Sequence, residues 1–142
     1  MGLRFLPQEK GCLVGPDFTR TAREMARLAK EKAIAPYSGF KVGAVAVGIN
    51  DSGSWIFASG ANIEAACSSV GICAERVAVA NLLMQGVKPS LVCIDADKSD
   101  VVPCGVCLQF MNEWRVMIGT PEHYGPISDY LPRPYRGRSP KH

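Results

Sequence analysis

The chain has 142 residues, 47% of them hydrophobic and 20% charged, and a formal net charge of +3. This length and composition are typical of one soluble globular domain with a substantial core. No apolar run approaches the roughly 18 residues that a membrane span needs. The modest charge, without a basic and aromatic stripe, argues against a nucleic-acid-binding protein.

The two ends of the chain are expected to flank a single domain within residues 1–142. Residues 1–16 are expected to be an irregular leader, and the basic residues 136–142 a solvated tail rather than a nucleic-acid arm. The first seven residues are too short and interrupted for a secretory signal, and Leu6 stands where a myristoylation motif needs Ser or Thr. We therefore expect a cytoplasmic protein, whose six cysteines do not form the three disulfides open to a secreted chain.

Hydrophobic periodicity and turn residues predict the order helix, two-stranded hairpin, helix, strand, helix, strand. This order predicts a three-layer α/β/α sandwich around a mixed sheet. The expected helices cover residues 18–34, 73–85 and 104–114, and the expected strands cover 42–49, 55–60, 91–96 and 115–118.

Two details of these elements carry further expectations. The second helix is expected to bury Val77, Ala80 and Leu83 along one face. The segment from Trp114 to Leu131 looks short, with Pro121, Gly125 and Pro126 where a fifth strand would be expected. Asp17 is expected to cap the first helix.

Two cysteine motifs about thirty residues apart are the chain's strongest functional signal, namely Cys73-Ala74-Glu75 and Pro103-Cys104-Gly105-Val106-Cys107. They supply three thiolates for one zinc ion, and three protein ligands leave the fourth tetrahedral position open, as in catalytic zinc sites. Cys104 and Cys107 share one face of a helical turn. Cys73 and Glu75 can converge on one ion only at a helix start, where Glu75 could exchange a proton with a zinc-bound water. The signature Cys/His-x-Glu followed by Pro-Cys-x-x-Cys is typical of zinc deaminases acting on cytosine or adenine.

Three thiolates on Zn²⁺ leave a net negative site. Arg76 and the positive ends of the two helices are expected to offset that charge. The simpler interpretation is that these cysteines are small buried hydrophobes, as free cysteines often are. The glutamate, the proline and the spacing together favour the zinc site. Cys67 lies close to the first motif but outside the signature.

With these motifs the chain resembles the cytidine deaminase family, specifically its small single-domain branch. The resemblance spans roughly residues 18–135. Near its end, residues 127–132 followed by Tyr135 are similar to the family's closing Leu-Leu-Pro-x-x-Phe segment. Besides the zinc motifs, the most specific segments are Pro36-Tyr37-Ser38-Gly39-Phe40-Lys41-Val42-Gly43-Ala44 and Asn62-Ile63-Glu64-Ala65-Ala66-Cys67.

The resemblance implies zinc-dependent hydrolytic deamination of a free pyrimidine nucleoside, cytidine or 2′-deoxycytidine, with release of ammonia. It implies that Asn62 and Glu64 hold the ribose hydroxyls, that Phe40 packs on the base and that the backbone of Ala74 contacts it. The family is commonly tetrameric with shared pockets, so a homotetramer, or failing that a dimer, is expected, with Tyr135 reaching across. Structural interpretations also stay open: Phe40 as a core aromatic, Asn62 and Glu64 as capping or turn-forming residues, and Tyr135 as part of a frayed tail.

The chain departs from the family pattern at two places. Ala65-Ala66-Cys67-Ser68-Ser69 stands where the family usually has Asn-Ala-Cys-Tyr-Pro, and Leu108-Gln109 where it usually has Arg-Gln. Two other functions therefore stay open: deamination of a modified cytosine nucleoside, such as a blasticidin-type antibiotic, and a zinc-stabilised binding module without catalysis. The intact Glu75 argues against the second, because a non-catalytic zinc site needs no proton carrier.

Overall fold

The computed structural model describes residues 16–137, and side chains from Thr19 onward. Five strands form one sheet in the order β2-β1-β3-β4-β5, in which only β3 and β4 are parallel neighbours. The mixed sheet is therefore confirmed. The elements are α1 (Pro16–Lys30), β1 (Val42–Ile49), β2 (Trp55–Ala61), α2 (Ala74–Met84), β3 (Leu91–Ala96), α3 (Gly105–Met111), β4 (Met117–Gly119) and β5 (Tyr124–Pro126).

Strand β1 lies in the interior of the sheet because its sequence can be covered on both faces. Its six central residues, 43–48, are all buried. It pairs with β2 on one side and β3 on the other. A continuous run of small and branched apolar residues is what a strand packed on both faces requires.

Helices cover both faces of the sheet, which confirms the predicted three layers. On one face, Ala22 and Ala26 of α1 pack with Val45 and Val47 of β1. On the other face, α2 and α3 pack against β1 and β3. The buried residues of this second face include Ala78, Val79, Leu82, Val92, Ile94, Cys107 and Met111.

The predicted buried face of α2 is wrong by about one residue. Ala80 is exposed, and Val77 and Leu83 are only partly buried. The helix instead buries Ala78, Val79 and Leu82, together with its first two residues. The physical reason is a close approach to β2 by the helix face that carries Ala74 and Ala78, which therefore becomes the buried face.

Gly60 of β2 makes that approach possible. A Cβ atom at this position would lie 2.4 Å from the backbone nitrogen of Ala78 and 2.5 Å from the carbonyl oxygen of Ala74. Real Cβ atoms do not come this close to backbone, so only glycine fits. The helix that follows Cys73 is therefore held in direct backbone contact with the edge strand.

The C-terminal part of the sheet differs in detail from the prediction. Helix α3 ends at Met111, a 3₁₀ turn follows over Asn112–Trp114, and Arg115 adopts a left-handed conformation with φ 48°. The fourth strand consequently starts at Met117, two residues late. A short fifth strand, β5, does form despite its proline, because an edge strand needs ladder hydrogen bonds on one side only.

The predicted ends of the chain are tested only in part. Helix α1 begins at Pro16 and stops at Lys30, four residues before the predicted end. The bridge that Ile34 forms with Ile63 replaces that last helical turn. The predicted helix cap at Asp17 is wrong, because α1 already begins at Pro16 and includes residue 17. The leader through residue 15 and the tail beyond 137 lie outside the described residues. Within residues 16–137, none of the helices has the length and apolarity required for a membrane crossing.

Candidate active site

Three cysteine thiols converge between α2 and α3. The sulfur atoms of Cys73, Cys104 and Cys107 all lie within 4.8 Å of one another, and Cys73 Sγ is 3.7 Å from Cys104 Sγ. Zinc–sulfur bonds of about 2.3 Å at tetrahedral angles place two sulfurs about 3.8 Å apart. The donor atoms and their spacing therefore fit one tetrahedral metal ion with a fourth position left open.

Two of the three cysteines occupy the positions immediately before a helix. Cys73 has φ −75° and ψ 153° before α2, and Cys104 has φ −68° and ψ 162° before α3. The predicted extended entry into both helices is confirmed. Cap residues lie beside backbone N–H groups that have no partner within the helix, which favours negative charge there. Cys107 follows in the first turn of α3 and is fully buried.

Glu75 lies in the first turn of α2, beside this cluster. Its side chain is buried, with 4% exposure, and the Cys107 thiol donates to Glu75 Oε2 at 3.9 Å. Burial raises the pKa of Glu75 to about 7, and the neighbouring Cys73 thiolate adds to the shift. A carboxyl group with this pKa can both take up and release a proton near neutral pH.

Arg76 lies where it was predicted to offset the negative charge. Its Nη2 is 3.9 Å from Cys73 Sγ. The neighbouring Cys107 thiol lowers the pKa of Cys73 to about 5, and Arg76 lowers it further against the effect of burial. The same contact with Cys73, together with burial, raises the pKa of Cys107. The cluster thus holds one thiolate ready at neutral pH, next to a cation.

The Asn62 side chain connects the end of β2 to residues 40–42, at the start of β1. Its Oδ1 accepts the Val42 N–H at 2.8 Å, and its Nδ2 donates to the Phe40 carbonyl at 2.9 Å. The side chain is partly buried. An amide offers two N–H donors and two lone pairs, so one donor and one lone pair of Asn62 remain free.

Glu64 holds the neighbouring turn. Its Oε2 accepts the N–H groups of Tyr37 at 2.9 Å and Ser38 at 3.1 Å, and its Oε1 contacts the Ser38 hydroxyl. The Ser38 hydrogen bonds lower the pKa of Glu64, so it is ionised at neutral pH. The structure therefore brings Asn62 and Glu64 together with the loop that carries Phe40, and it gives both side chains structural contacts that the sequence did not reveal.

The remaining substrate candidates have different surroundings. Ala74 is fully buried between Cys73 and Glu75, while Phe40 is partly buried. The ring of Tyr135 is 79% exposed. Its backbone is held by Gln109, whose side chain makes two hydrogen bonds to it.

Sequence reasoning missed the roles of Ser38 and Gln109. Ser38 lies inside a segment that resembles the family, but its spacing gives no sign that it contacts Glu64, 26 residues away. Gln109 follows Cys104 and Cys107, and it matches the family's usual Arg-Gln, so that only Leu108 stands out as a departure in the sequence. Contacts of this range depend on the folded arrangement and have no local pattern.

The fold and the site define a class: a three-layer α/β protein with a three-cysteine metal centre at the starts of two helices and a buried glutamate beside it. The family model described as cytidine and deoxycytidylate deaminase zinc-binding region matches residues 17–119. The chain belongs to this family. The matched region includes Cys73, Cys104 and Cys107, and zinc is the metal that they are positioned to bind.

Individual relatives agree with this assignment. The chain is 31% identical over 141 aligned residues to a cytidine deaminase of Aeromonas salmonicida, and equally to one of Aeromonas hydrophila. These matches cover 93% of this chain and 45% of each relative, so the chain spans about half the length of these relatives.

Solved structures show the same fold. The cytidine deaminase of Mycobacterium tuberculosis superposes with a TM-score of 0.71 at 28% identity, covering 82% of this chain and 95% of that one. The cytidine deaminase of Burkholderia pseudomallei gives a TM-score of 0.70 at 28% identity, covering 82% and 98%. Both are similar in length to the part of this chain that they cover.

Proposed function

We propose that this protein is a zinc-dependent deaminase that converts cytidine or 2′-deoxycytidine, with water, to uridine or 2′-deoxyuridine and ammonia. The observation that carries the proposal is the buried carboxyl group of Glu75 beside three converging thiols. A purely structural zinc site needs no buried proton carrier and closes all four positions with protein ligands. The relatives named as cytidine deaminases support the choice of substrate.

Glu75 carries the protons of the reaction. Zinc, when bound, supplies a Lewis acid that lowers the pKa of a water molecule. The Glu75 carboxylate takes a proton from the attacking water and delivers it to N3 of the base. It later passes a proton to the amino group that leaves from C4 as ammonia. Glu75 is buried directly beside the metal ligands, and Arg76 holds positive charge beside the thiolates.

Substrate recognition is assigned to the loop and hairpin end beside the metal centre. Phe40 packs on the base, the backbone of Ala74 contacts it, and Asn62 and Glu64 bind sugar hydroxyls. The free donor and lone pair of Asn62 and the remaining lone pair of Glu64 are sufficient for this. Because Glu64 is ionised, a phosphate placed nearby would be repelled, which favours the free nucleoside over its monophosphate.

A modified cytosine nucleoside is the second candidate substrate. The observation that favours it is that Ser68 and Ser69, which stand in place of the family's Tyr-Pro, lie in an exposed turn. A rim of serines admits larger substituents than a tyrosine would. A zinc-stabilised module without catalysis is disfavoured by the buried carboxyl group of Glu75.

We extend the proposal to the organisation of the protein. It is a single deaminase domain, located in the cytoplasm, and it assembles as a homotetramer or, failing that, a dimer. The five described cysteines are free thiols, in keeping with a reducing compartment.

An open apolar groove of about 490 Å³ between α1 and β2 supports the proposed assembly. It is lined by the exposed side chains of Leu28, Ile34 and Ile63, and burial of such apolar surface favours association. Light scattering that gives a monomer mass at micromolar concentration would contradict the assembly.

The deciding experiment measures ammonia release by the zinc-loaded chain. Cytidine, 2′-deoxycytidine, cytidine monophosphate, cytosine, an oligonucleotide and a C5-substituted cytidine are compared by kcat/KM. We expect the two free nucleosides to be the best substrates. A monophosphate or oligonucleotide as best substrate would refute the nucleoside assignment, and release from none of them would refute the deaminase.

A further inference from the structure

We propose that Ser38 is a positioning residue that couples the sugar-binding carboxylate of Glu64 to the base-binding residue Phe40, and so helps to select nucleosides with sugar hydroxyls. The inference rests on the proposed function and adds a residue to it. Ser38 is exposed at the turn before β1, and neither motif spacing nor the zinc chemistry assigns it a role.

The direction of the Ser38 hydrogen bonds follows from chemistry. An ionised carboxylate only accepts, so the contact between Ser38 and Glu64 requires the Ser38 O–H to donate. The hydroxyl then has only lone pairs left. One of them accepts the Phe40 N–H at 3.0 Å. The hydroxyl therefore connects Glu64 to Phe40 with a fixed polarity.

Both polar backbone groups of Phe40 depend on side chains of this cluster. The N–H is held by Ser38, and the carbonyl accepts the Asn62 amide at 2.9 Å. Ser38 is the only described link from Glu64 to Phe40, because Glu64 otherwise accepts the backbone N–H groups of residues 37 and 38. A sugar hydroxyl that binds Glu64 therefore shares the carboxylate with the Ser38 hydroxyl, which in turn positions Phe40.

This arrangement predicts a loss that depends on the substrate. Without the Ser38 hydroxyl, Glu64 loses a donor and Phe40 loses an acceptor, so sugar binding no longer orders the base. The loss should be large for cytidine and small for 2′,3′-dideoxycytidine, which cannot offer Glu64 those hydroxyls. Hydrogen bonds to charged groups and coupled neighbours of this kind correspond to roughly a tenfold difference between the two substrates.

The test compares Ser38→Ala and Ser38→Thr with the parent chain, all zinc-loaded, on the two nucleosides. Ser52→Ala is the matched control, because Ser52 donates its hydroxyl to a turn acceptor, Asn50 Oδ1, in the β1–β2 hairpin. In Ser38→Ala we expect KM for cytidine to rise about tenfold more than KM for the dideoxynucleoside, with kcat nearly unchanged. Ser38→Thr keeps the hydroxyl and should recover the parent values. The Kd of both nucleosides, measured by thermal shift with Glu75→Gln added to each chain so that neither is turned over, should change in the same ratio.

The outcomes separate this inference from the proposed function. An equal loss on both nucleosides, or no loss in Ser38→Ala, overturns the coupling while the deaminase assignment stands. The same holds if Ser38→Thr fails as Ser38→Ala does. If the parent chain neither deaminates nor binds either nucleoside, the proposed function fails first and the role of Ser38 fails with it.

Discussion

The side-chain amide of Gln109 pairs with the backbone of Tyr135. Its Nε2 donates to the Tyr135 carbonyl and its Oε1 accepts the Tyr135 N–H, each at 2.9 Å. Gln109 lies two residues after Cys107 in α3. The segment around residue 135 is therefore fastened to the helix that carries Cys107 and directly follows Cys104, while the tyrosine ring stays exposed.

Gln109→Ala should release this segment. Two exposed hydrogen bonds contribute about 1–2 kcal/mol together, which corresponds to roughly tenfold faster cleavage when local opening precedes proteolysis. Trypsin cleavage after Arg136 measures this, since the bond after Arg133 is protected by the following proline. Gln85→Ala is the matched control, because Gln85 makes one exposed hydrogen bond within α2. Equal cleavage rates in parent and Gln109→Ala would show that the pairing does not hold the segment.

Zinc content should depend on Cys104 and not on Cys67. Both cysteines are exposed and both directly precede a helical segment, a 3₁₀ turn for Cys67 and α3 for Cys104, but only Cys104 belongs to the three-thiol cluster. Serine is itself a favourable cap, so Cys104→Ser spares the start of α3 while removing a soft ligand. Elemental analysis of chelator-free protein should find about one zinc per chain in the parent and in Cys67→Ser, and much less in Cys104→Ser. A parent chain without zinc would end the metal assignment.

Glu75→Gln should abolish turnover and keep the metal. The amide has nearly the same shape and is neutral in a buried position, so fold and zinc content should be preserved. It cannot accept a proton from water, and general acid–base catalysis of this kind is worth about 10²–10⁴ in rate. Glu113→Gln, at an exposed glutamate just after α3, serves as the control and should keep full kcat. Substantial ammonia release by Glu75→Gln would remove Glu75 from the mechanism.

Gly60→Ala should destabilise the protein, whereas Gly105→Ala should not. The added methyl group at residue 60 collides with the backbone of α2, and overpacking of this type costs about 1–3 kcal/mol. At residue 105 nothing lies within 4 Å, and alanine favours the helix by up to about 1 kcal/mol. Urea unfolding of the zinc-loaded chains measures both. A Gly60→Ala chain as stable as the parent would mean that α2 does not press on β2 as described.

The metal centre was predictable because its residue types form two short motifs with a recognisable spacing, even though Cys73 and Cys104 lie 31 residues apart. Cys104 and Cys107 meet through one helical turn, and the need for Cys73 and Glu75 to converge already required a helix start between them. The structure confirms both helix starts. The sheet was also predictable from short segments, because β1 is a continuous apolar run and β3 opens with four buried apolar residues, 91–94.

What the sequence did not reveal depends on contacts between distant segments. The buried face of α2 was misassigned because it is the face that approaches Gly60 of β2, and periodicity within the helix does not indicate that partner. The contacts of Glu64 with Ser38 and of Gln109 with Tyr135 each span 26 residues. A single polar residue in an exposed segment carries no signal for such a partner until the fold places it there.

The 3.7 Å separation of the Cys73 and Cys104 sulfurs has a consequence for handling the protein without metal. Both are more accessible than the buried Cys107. Without metal, a peroxide can oxidise this pair to a disulfide. The two thiols give up two protons and two electrons, and the peroxide accepts them and releases water. Zinc prevents this by engaging both sulfurs. A chain oxidised in this way would have lost two of its three ligands, so zinc alone would not restore it. A thiol reductant followed by zinc would, and the oxidised chain should weigh two mass units less, as expected for the loss of two hydrogens.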